Sequence, residues 1–150
     1  MTTVGLDADD TLWRTETHFR VMQARFAELL GGFAETEALH ARLAEVERKN
    51  LELYGYGVKG FTLSMIETAM EFADGAEAAR AVREILAAGR DMLSHPVEPL
   101  PGVAETLAEL AGAYRLVLIT KGDLLHQERK LAASGLGDHF SAVEVVSEKD

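Results

Sequence analysis

Acidic side chains cluster directly after a short apolar segment near the N-terminus. Residues 3–6 are mostly apolar or β-branched, and Asp7, Asp9 and Asp10 follow them. If this segment is a buried strand, alternation along the extended chain sends Asp7 and Asp9 toward the same side. Neighbouring carboxylates repel each other unless one is protonated or a cation lies between them, and hard oxygen ligands suit magnesium. The alternative is an ordinary turn in which Asp10 or Thr11 caps the next helix.

A parallel sheet is the element that would bring other polar side chains to this cluster. Residues 3–6 are predicted as a first buried strand, the apolar run 116–119 as a central parallel strand, and residues 142–146 as a third strand. Helical spacing of apolar residues predicts helices over residues 15–30, 39–53, 64–73, 76–93, 103–110 and 124–134. Ligands of open α/β sheets bind at the carboxyl ends of the strands, which favours chemistry at Asp7 and Asp9.

The first connection between strands is far longer than a crossover requires. Residues 14–96 are almost entirely predicted helix, and an inserted helical domain explains them. Strands separated by helices imply parallel pairing. The sequence therefore predicts an α/β fold: a Rossmann-like parallel sheet core from residues 1–13 and 97–150, with an all-helical cap inserted over residues 14–96.

The pattern Asp-x-Asp-x-Thr-Leu after an apolar strand resembles the first motif of the haloacid dehalogenase superfamily. Asp7, Asp9, Thr11 and Leu12 match it. The segment 99–103, Pro-Leu-Pro-Gly-Val, is similar to the return from cap to core in members whose cap follows the first strand. The resemblance extends over essentially the whole chain, and it implies a phosphatase-like hydrolase.

Two further motifs follow in the order that this superfamily shows. The second predicted strand ends in Thr120, which resembles the second motif, and Lys149 stands after the third strand, as the Lys of the third motif does. Thr120 is followed by Lys121 and Gly122, where many relatives have Asn after the Thr. Lys121 either adds positive charge near the phosphate or points to solvent.

The resemblance assigns a role to each matching residue. Asp7 is expected to be the nucleophile that forms an aspartyl-phosphate, and Asp9 the general acid and base. Thr120 would bind the phosphoryl oxygens, and Lys149 would neutralise charge on the phosphate and on Asp7. Mg²⁺ is the expected cofactor, held by an oxygen of Asp7 and the backbone carbonyl of Asp9. Thr11, together with Lys121 and Gly122, is a candidate for substrate binding.

The superfamily's fourth motif, an acidic pair that supplies magnesium ligands, has no counterpart in this sequence. The sequence ends at Asp150, where many relatives have Pro after the motif-three Lys. We therefore expect the natural protein to continue for several tens of residues, with one or more strands and an acidic pair near Asp7. A polypeptide of only these residues is expected to bind magnesium poorly and to aggregate through the open edge of the first strand.

The glycine-rich segment 54–61 is the strongest candidate in the predicted cap for contact with substrate. It contains Tyr56 and Lys59 among three glycines, so it combines flexibility with binding chemistry. Tyr56 and Lys59 are therefore candidate substrate-binding residues. The alternative is an ordinary loop between helices whose aromatic residues pack locally. Trp13 is interpreted as a residue of the hinge between core and cap.

Composition excludes several classes of function. The formal net charge of −10 repels nucleic acid and anionic lipid, although a metal ion and a few cations can still attract a phosphorylated substrate locally. The sequence has no cysteine, which excludes disulfides, thiolate zinc sites and cysteine nucleophiles. We see no signal peptide and no apolar stretch long enough to cross a membrane, so the expected location is the cytoplasm. The oligomeric state stays open.

The leading functional hypothesis is magnesium-dependent hydrolysis of a small phosphorylated metabolite. Haloacid dehalogenation is a rival that also uses an Asp nucleophile but needs neither magnesium nor an acid at the position of Asp9. Phosphonatases and phosphomutases share the core residues and differ in the cap. A non-catalytic fragment or binding module is a further alternative, because the fourth motif is missing.

Overall fold

Three parallel strands form the sheet that carries the acidic cluster. The computed structural model describes residues 1–149. Its strands are β1 (Thr3–Leu6), β2 (Arg115–Lys121) and β3 (Ala142–Val146), in the order β1-β2-β3 with both pairs parallel. Leu6 lies opposite Leu118, and Val117 lies opposite Ala142. The predicted α/β fold class with a parallel sheet is confirmed, and β2 extends beyond the predicted 116–119.

Most of the remaining chain is helical. The helices are α1 (Glu16–Leu30), α2 (Thr36–Tyr54), α3 (Val58–Phe72), α4 (Gly75–Leu93), α5 (Val103–Ala111) and α6 (Leu124–Ser134), with a short 3₁₀ turn over Gly137–His139. Apart from the unpredicted 3₁₀ turn, these elements follow the predicted order. Within residues 1–149, none of the helices has the length and apolar content needed to cross a bilayer.

The start of α3 differs from the sequence prediction. The helix begins at Val58 rather than near residue 64, because Gly57 adopts φ 119°, which L-residues rarely reach, and lets the chain turn directly into the helix. Ser64 is therefore a buried mid-helix residue and not a helix cap. Its hydroxyl contacts Asn50 Nδ2 at 3.2 Å, and the same amide nitrogen donates to Glu67 Oε2 at 2.7 Å. Ser64 and Glu67 have the spacing of a capping box, but in the structure both contact Asn50 and fasten α3 to α2.

The chain divides into two compact units. A core unit comprises residues 1–17 and the chain from Pro96 onward, and a helical unit comprises residues 18–95. The core unit holds the whole sheet together with α5 and α6. The helical unit contains α2, α3, α4 and nearly all of α1.

The helical unit has its own apolar core. In α4, Ala81, Ile85 and Gly89 recur every four residues and are all buried, as one face of an α-helix requires. A Cβ at Gly89 would come within 2.6 Å of Thr62 Oγ1, so glycine permits the close approach of α3 and α4. The buried apolar cluster consists of Met22, Phe26, Ala27, Leu30, Leu39, Leu43, Phe61, Met65, Ala69, Ala73, Ala81 and Ile85.

A second apolar cluster supports the sheet in the core unit. Leu116 and Leu118 project from β2 into this cluster and are almost completely buried. Leu107 of α5 and Leu131 of α6 join them, so both helices are fixed against the central strand. The other face of β2 is more open, since Ile119 remains 37% exposed. This packing positions the N-terminal end of α6 close to the point where β1 and β2 end.

Candidate active site

The polar residues predicted from the three motifs lie where the parallel strands end. Asp7 follows β1, Thr120 is the penultimate residue of β2, and Lys149 follows β3. The carboxyl ends of parallel neighbours meet at one edge of a sheet. Lys149 Nζ lies 2.5 Å from Asp7 Oδ1, and their side chains are 33% and 46% exposed. The sheet therefore pairs the two residues through a contact that is open to solvent.

The acidic segment turns sharply after β1. The carbonyl of Ala8 accepts hydrogen bonds from the amides of Thr11 at 3.1 Å and Leu12 at 2.8 Å. Asp10 has φ 61°, a left-handed conformation that Asp tolerates better than most residues. The hydrogen-bonded strand β1 ends at Leu6, so Asp7 and Asp9 lie in the segment that follows it. The two carboxylates contact different groups.

Asp10 is the member of the cluster that caps a helix. Its Oδ1 accepts from the backbone amide of Thr15 at 2.9 Å, and both of its oxygens accept from the amide of Glu16 at 3.1 Å. A carboxylate at this position satisfies amides that the first turn of α1 leaves unpaired. The alternative interpretation as a helix cap is thus correct for Asp10. Thr11 Oγ1 donates to Asp7 Oδ2 at 3.5 Å, a long contact that orients Asp7 only weakly.

The carboxylate of Asp9 is surrounded by donors. Its Oδ1 accepts from three side chains: Trp13 Nε1 at 2.9 Å, Thr15 Oγ1 at 2.9 Å and Lys130 Nζ at 2.5 Å. Its Oδ2 accepts from Gln127 Nε2 at 3.0 Å. Burial by itself would raise the pKa of Asp9, but the charge of Lys130 and the hydrogen bonds from Lys130, Gln127 and Trp13 outweigh burial and lower this pKa. Asp9 is therefore held as an anion in this arrangement.

Gln127 connects Asp9 with the end of β2. Its Nε2 lies 3.1 Å from Thr120 Oγ1 and 2.6 Å from the backbone carbonyl of Lys121, so its two N–H groups are shared among three acceptors that include Asp9 Oδ2. Gly122, at φ 123°, passes so close that a Cβ there would come within 3.1 Å of this same Nε2. The predicted site residue Gly122 therefore has a conformational role: it lets the chain leave β2 beside the Gln127 amide.

Lys121 and Asp123 have structural partners around the same turn. Lys121 Nζ lies 3.4 Å from Glu148 Oε1, an exposed ion pair that is worth little stability by itself. Asp123 caps α6, since its Oδ1 accepts from the amide of His126 at 2.9 Å. The cap fixes the first turn of α6, from which Gln127 reaches Asp9.

The two candidate residues from the glycine-rich segment belong to the helical unit. Only residues 55–57 lie between the helices, and Lys59 is in the first turn of α3, so the segment 54–61 is not one continuous loop. Tyr56 is half-buried and Lys59 is exposed. Their proposed contact with substrate stays a prediction.

Sequence reasoning missed Gln127 and Lys130, and it did not predict the hydrogen bond from Trp13 to Asp9. Trp13 is 1% exposed within the apolar cluster of the core unit and donates to Asp9, so the structure gives it a role in that core. Lys130 Nζ also lies 5.9 Å from the centre of the Trp13 ring. A signal for Gln127 and Lys130 was present: they stand three residues apart on the helix that follows the predicted phosphate-binding strand, and therefore on one face.

The oxygen atoms of this site are of the type that magnesium prefers, and they would supply part of its coordination shell. Asp7 offers carboxylate oxygens of the kind that magnesium prefers. The side chain of Asp9 is occupied by its donors, which leaves its backbone carbonyl as the candidate ligand. Across residues 1–149, no three His, Cys, Asp or Glu side chains converge as a metal-binding group. Magnesium commonly keeps several waters and phosphate oxygens as ligands, so a shell with few protein ligands is chemically reasonable.

These groups can support nucleophilic chemistry on an anionic substrate. Asp7 presents a carboxylate to solvent, Lys149 supplies positive charge beside it, and Thr120 provides a hydroxyl at the end of the neighbouring strand. Asp9 is a second carboxylate with a fixed orientation. Covalent transfer of an acyl or phosphoryl group requires a nucleophile, a nearby cation and an acid or base that is held in place.

Comparisons with known proteins show which family and fold this chain resembles. A haloacid dehalogenase-like family hydrolase from Xanthomonas campestris is 48% identical, with a TM-score of 0.90 over 100% of this chain and 63% of that protein. The chain thus spans less than two thirds of this relative's length. A putative beta-phosphoglucomutase from Thermotoga maritima is 22% identical, with a TM-score of 0.62 over 99% of this chain and 64% of that protein.

A third similar structure is an L-2-haloacid dehalogenase from Xanthobacter autotrophicus with chloropropionic acid covalently bound. It is 16% identical, with a TM-score of 0.57 over 97% of this chain and 57% of that protein, so the likeness concerns the fold alone. Among curated proteins, no sequence gives a significant match. The family model of the haloacid dehalogenase-like hydrolases matches residues 1–150. With this match and the 48% identity over the full chain, the protein belongs to the haloacid dehalogenase-like hydrolases.

Proposed function

We propose that this hydrolase is a magnesium-dependent phosphomonoesterase that forms an aspartyl-phosphate on Asp7 and acts on a small phosphorylated metabolite. The observation that carries the proposal is the contact of Lys149 with Asp7, beside a second carboxylate, Asp9, that is itself held in place. A carboxylate nucleophile must approach an anionic phosphoryl group. Positive charge at this point offsets the repulsion between them.

The reaction proceeds in two steps. In the first, a carboxylate oxygen of Asp7 attacks phosphorus, the bond from phosphorus to the leaving oxygen breaks, and that oxygen takes a proton from the protonated Asp9 carboxyl. Asp9 is an anion in the free site, and the negative charge of a phosphate bound beside it favours the protonated carboxyl that this step needs. In the second, Asp9 takes a proton from water, which attacks the phosphorus of the aspartyl-phosphate. Inorganic phosphate leaves and the Asp7 carboxylate is restored. Oδ2 of Asp9 accepts one hydrogen bond where Oδ1 accepts three, so Oδ2 is the oxygen better placed to exchange a proton.

Lys149 and Thr120 would bind the transferred phosphoryl group. The ammonium of Lys149 can contact both Asp7 and a phosphoryl oxygen, and the Thr120 hydroxyl can donate to another. When bound, magnesium supplies charge neutralisation between the nucleophile and the phosphate. We propose Lys121, Gly122 and Thr11 as neighbours of the phosphate, and Tyr56 and Lys59 as residues that contact the remainder of the substrate.

The presence of Asp9 favours a phosphatase over a dehalogenase. Dehalogenation displaces halide directly and needs no proton at the leaving group, so a second carboxylate could act there only as a base when water hydrolyses the ester intermediate. Phosphoryl transfer to water needs such a group twice. The substrate is expected to be a small phosphorylated metabolite, because the net charge of −10 disfavours nucleic acid.

The decisive experiment uses the full natural polypeptide. Hydrolysis of p-nitrophenyl phosphate and of a panel of phosphorylated metabolites is measured with magnesium and with EDTA, and halide release from 2-chloropropionate is measured in parallel. Asp7→Asn removes the nucleophile and is expected to abolish turnover while circular dichroism stays unchanged. Activity that survives EDTA or Asp7→Asn, or halide release without phosphate release, would contradict the proposal.

A further inference from the structure

Helix α6 directs two polar side chains toward the ends of β1 and β2. Gln127 and Lys130 stand three residues apart, so they share one face of the helix. Gln127 is 3% exposed, and the side chain of Lys130 is 11% exposed. A lysine is seldom buried to this degree unless it is paired. Because Lys130 is largely buried beside Asp9, the face of α6 that carries Gln127 and Lys130 lies against the candidate site.

Each of the two lysines of the site contacts a different carboxylate. Lys149 contacts Asp7, and Lys130 contacts Asp9. Asp7 and Lys149 are partly open to solvent and can rearrange around a phosphate. Asp9 and Lys130 are more enclosed, at 30% and 11% exposure, and the ion pair is reinforced by the Trp13 and Thr15 hydrogen bonds. In such a setting the geometry of the pair is well determined, and loss of one partner leaves an uncompensated charge.

Gln127 links Asp9 to the end of β2, the strand that contains Thr120. Its Nε2 contacts Asp9 Oδ2, Thr120 Oγ1 and the carbonyl of Lys121, so one amide group joins the end of β1 to the end of β2. Its Oε1 is buried and has no hydrogen-bond partner among residues 1–149. An unpaired buried acceptor is costly, so this orientation is maintained by the acceptors that surround Nε2.

We infer that Gln127 and Lys130 are positioning residues of the reaction: Lys130 anchors Oδ1 of Asp9, and Gln127 sets the direction of Oδ2 relative to Thr120. The inference rests on the proposed phosphatase function. Anchoring matters most in the second step, because Asp9 must then direct a water molecule at the aspartyl-phosphate. In the first step, a good leaving group such as p-nitrophenolate departs without needing a proton.

The kinetic test compares Lys130→Met, Lys130→Arg and Gln127→Leu with Arg129→Met in the full natural polypeptide. Arg129 is an exposed cation on the same helix and serves as the matched control. Lys130→Met is expected to lower kcat roughly tenfold to a hundredfold, as displaced catalytic groups do. KM for p-nitrophenyl phosphate should fall together with kcat, because the aspartyl-phosphate accumulates when its hydrolysis is slow. Gln127→Leu should do the same, Lys130→Arg should recover part of the loss, and Arg129→Met should behave as wild type.

Pre-steady-state kinetics separate positioning from general damage. With p-nitrophenyl phosphate, Lys130→Met is expected to release a burst of about one p-nitrophenolate per active site, because hydrolysis of the aspartyl-phosphate becomes the slow step. A fall in kcat without a burst, or with a burst amplitude reduced in proportion to kcat, would indicate misfolded enzyme. Either result, or an unchanged kcat, would overturn the inference.

A second readout does not depend on turnover. The sequence has one tryptophan, and its indole N–H donates to Asp9 Oδ1, so the exchange of this single proton with solvent reports whether Asp9 stays in place. Lys130→Met is expected to accelerate the exchange, and Arg129→Met is not. If the wild type lacks magnesium-dependent phosphatase activity, the proposed function fails and the exchange rate alone decides the inference. Exchange in Lys130→Met equal to that of wild type would overturn it.

Discussion

Lys149 Nζ lies 2.5 Å from Asp7 Oδ1, although 142 residues separate them along the chain. The parallel sheet produces this contact, because Asp7 follows β1 and Lys149 follows β3 at the same edge. Each residue keeps a substantial exposed fraction. In the proposed reaction, the ammonium contacts the carboxylate before substrate binds and a phosphoryl oxygen afterwards.

Lys149→Met should reduce kcat/KM for phosphorylated substrates by about 10²- to 10³-fold, the range seen when a donor to developing charge is removed. The physical reason is that Asp7 would approach the phosphate without a neutralising cation from the protein. Lys149→Arg should retain part of the activity. Lys49→Met, at an exposed site of the helical unit, is the control and should leave kcat/KM unchanged. Equal values for both methionine variants would contradict the role of Lys149.

Asp9→Asn should slow turnover severely and allow phosphoenzyme to accumulate. An amide can occupy the place of the carboxylate but cannot take a proton from water, so the second step suffers most. Brief reaction with phosphate-labelled substrate, acid quenching and mass spectrometry would detect the phosphorylated Asp7 peptide. If turnover slows and no such peptide forms, Asp9 does not act in the second step.

Lys59→Ala should change substrate preference more than the basic chemistry. Lys59 is exposed in the first turn of α3. We predict that its charge contacts an anionic group of the substrate outside the phosphate. We expect a higher KM for substrates that carry such a group and little change for p-nitrophenyl phosphate. Unchanged KM and kcat for every accepted substrate would remove Lys59 from the site.

Gly122→Ala should destabilise the core unit by about 1–3 kcal/mol, because φ 123° is unfavourable for an L-residue and the new Cβ would crowd Gln127 Nε2. It should also lower activity by displacing Gln127 from Asp9. Gly32→Ala is the matched control, since a Cβ at Gly32 meets nothing within 4 Å and its φ is not in the positive range. Chemical denaturation measures both free energies of unfolding. Equal effects of the two substitutions would show that the turn after β2 does not require glycine at position 122.

Glu47→Gln should raise the melting temperature of the helical unit at pH 7. Burial raises the pKa of Glu47, so the folded state favours the protonated form and loses stability as the pH rises above the ordinary glutamate pKa of about 4.3. Glutamine removes this penalty, so its advantage should be present at pH 7 and shrink as the pH falls toward that value. Glu52→Gln, at an exposed position of α2, should have little effect. A gain that does not depend on pH would argue against desolvation as its cause.

The sequence by itself determined the strands, most of the helices and the order of the motifs. The periodicity of apolar residues within a short segment shows which face of a strand or helix is buried, so it can be read without knowledge of the tertiary structure. The run 142–146 and the helix 124–134 therefore coincide with β3 and α6. Asp7, Thr120 and Lys149 could be chosen as site candidates because each follows or ends a predicted strand at a position that resembles a motif of the haloacid dehalogenase superfamily. Local patterns were less reliable at the start of α3, where the spacing of Ser64 and Glu67 suggested a cap but the two residues contact α2.

Only the tertiary structure decided how the neighbouring acidic residues differ. Asp9 contacts Gln127 and Lys130, which are 118 and 121 residues away, whereas Asp10 caps the helix beside it. The motif and the spacing suggested different roles for Asp9 and Asp10, but the sequence did not show which groups each carboxylate contacts. Those contacts depend on the turn at Ala8 and on the packing of α6 against β2. Hydrogen bonds and ion pairs act over a few ångströms, so they are fixed only when the sheet and helices bring distant residues together.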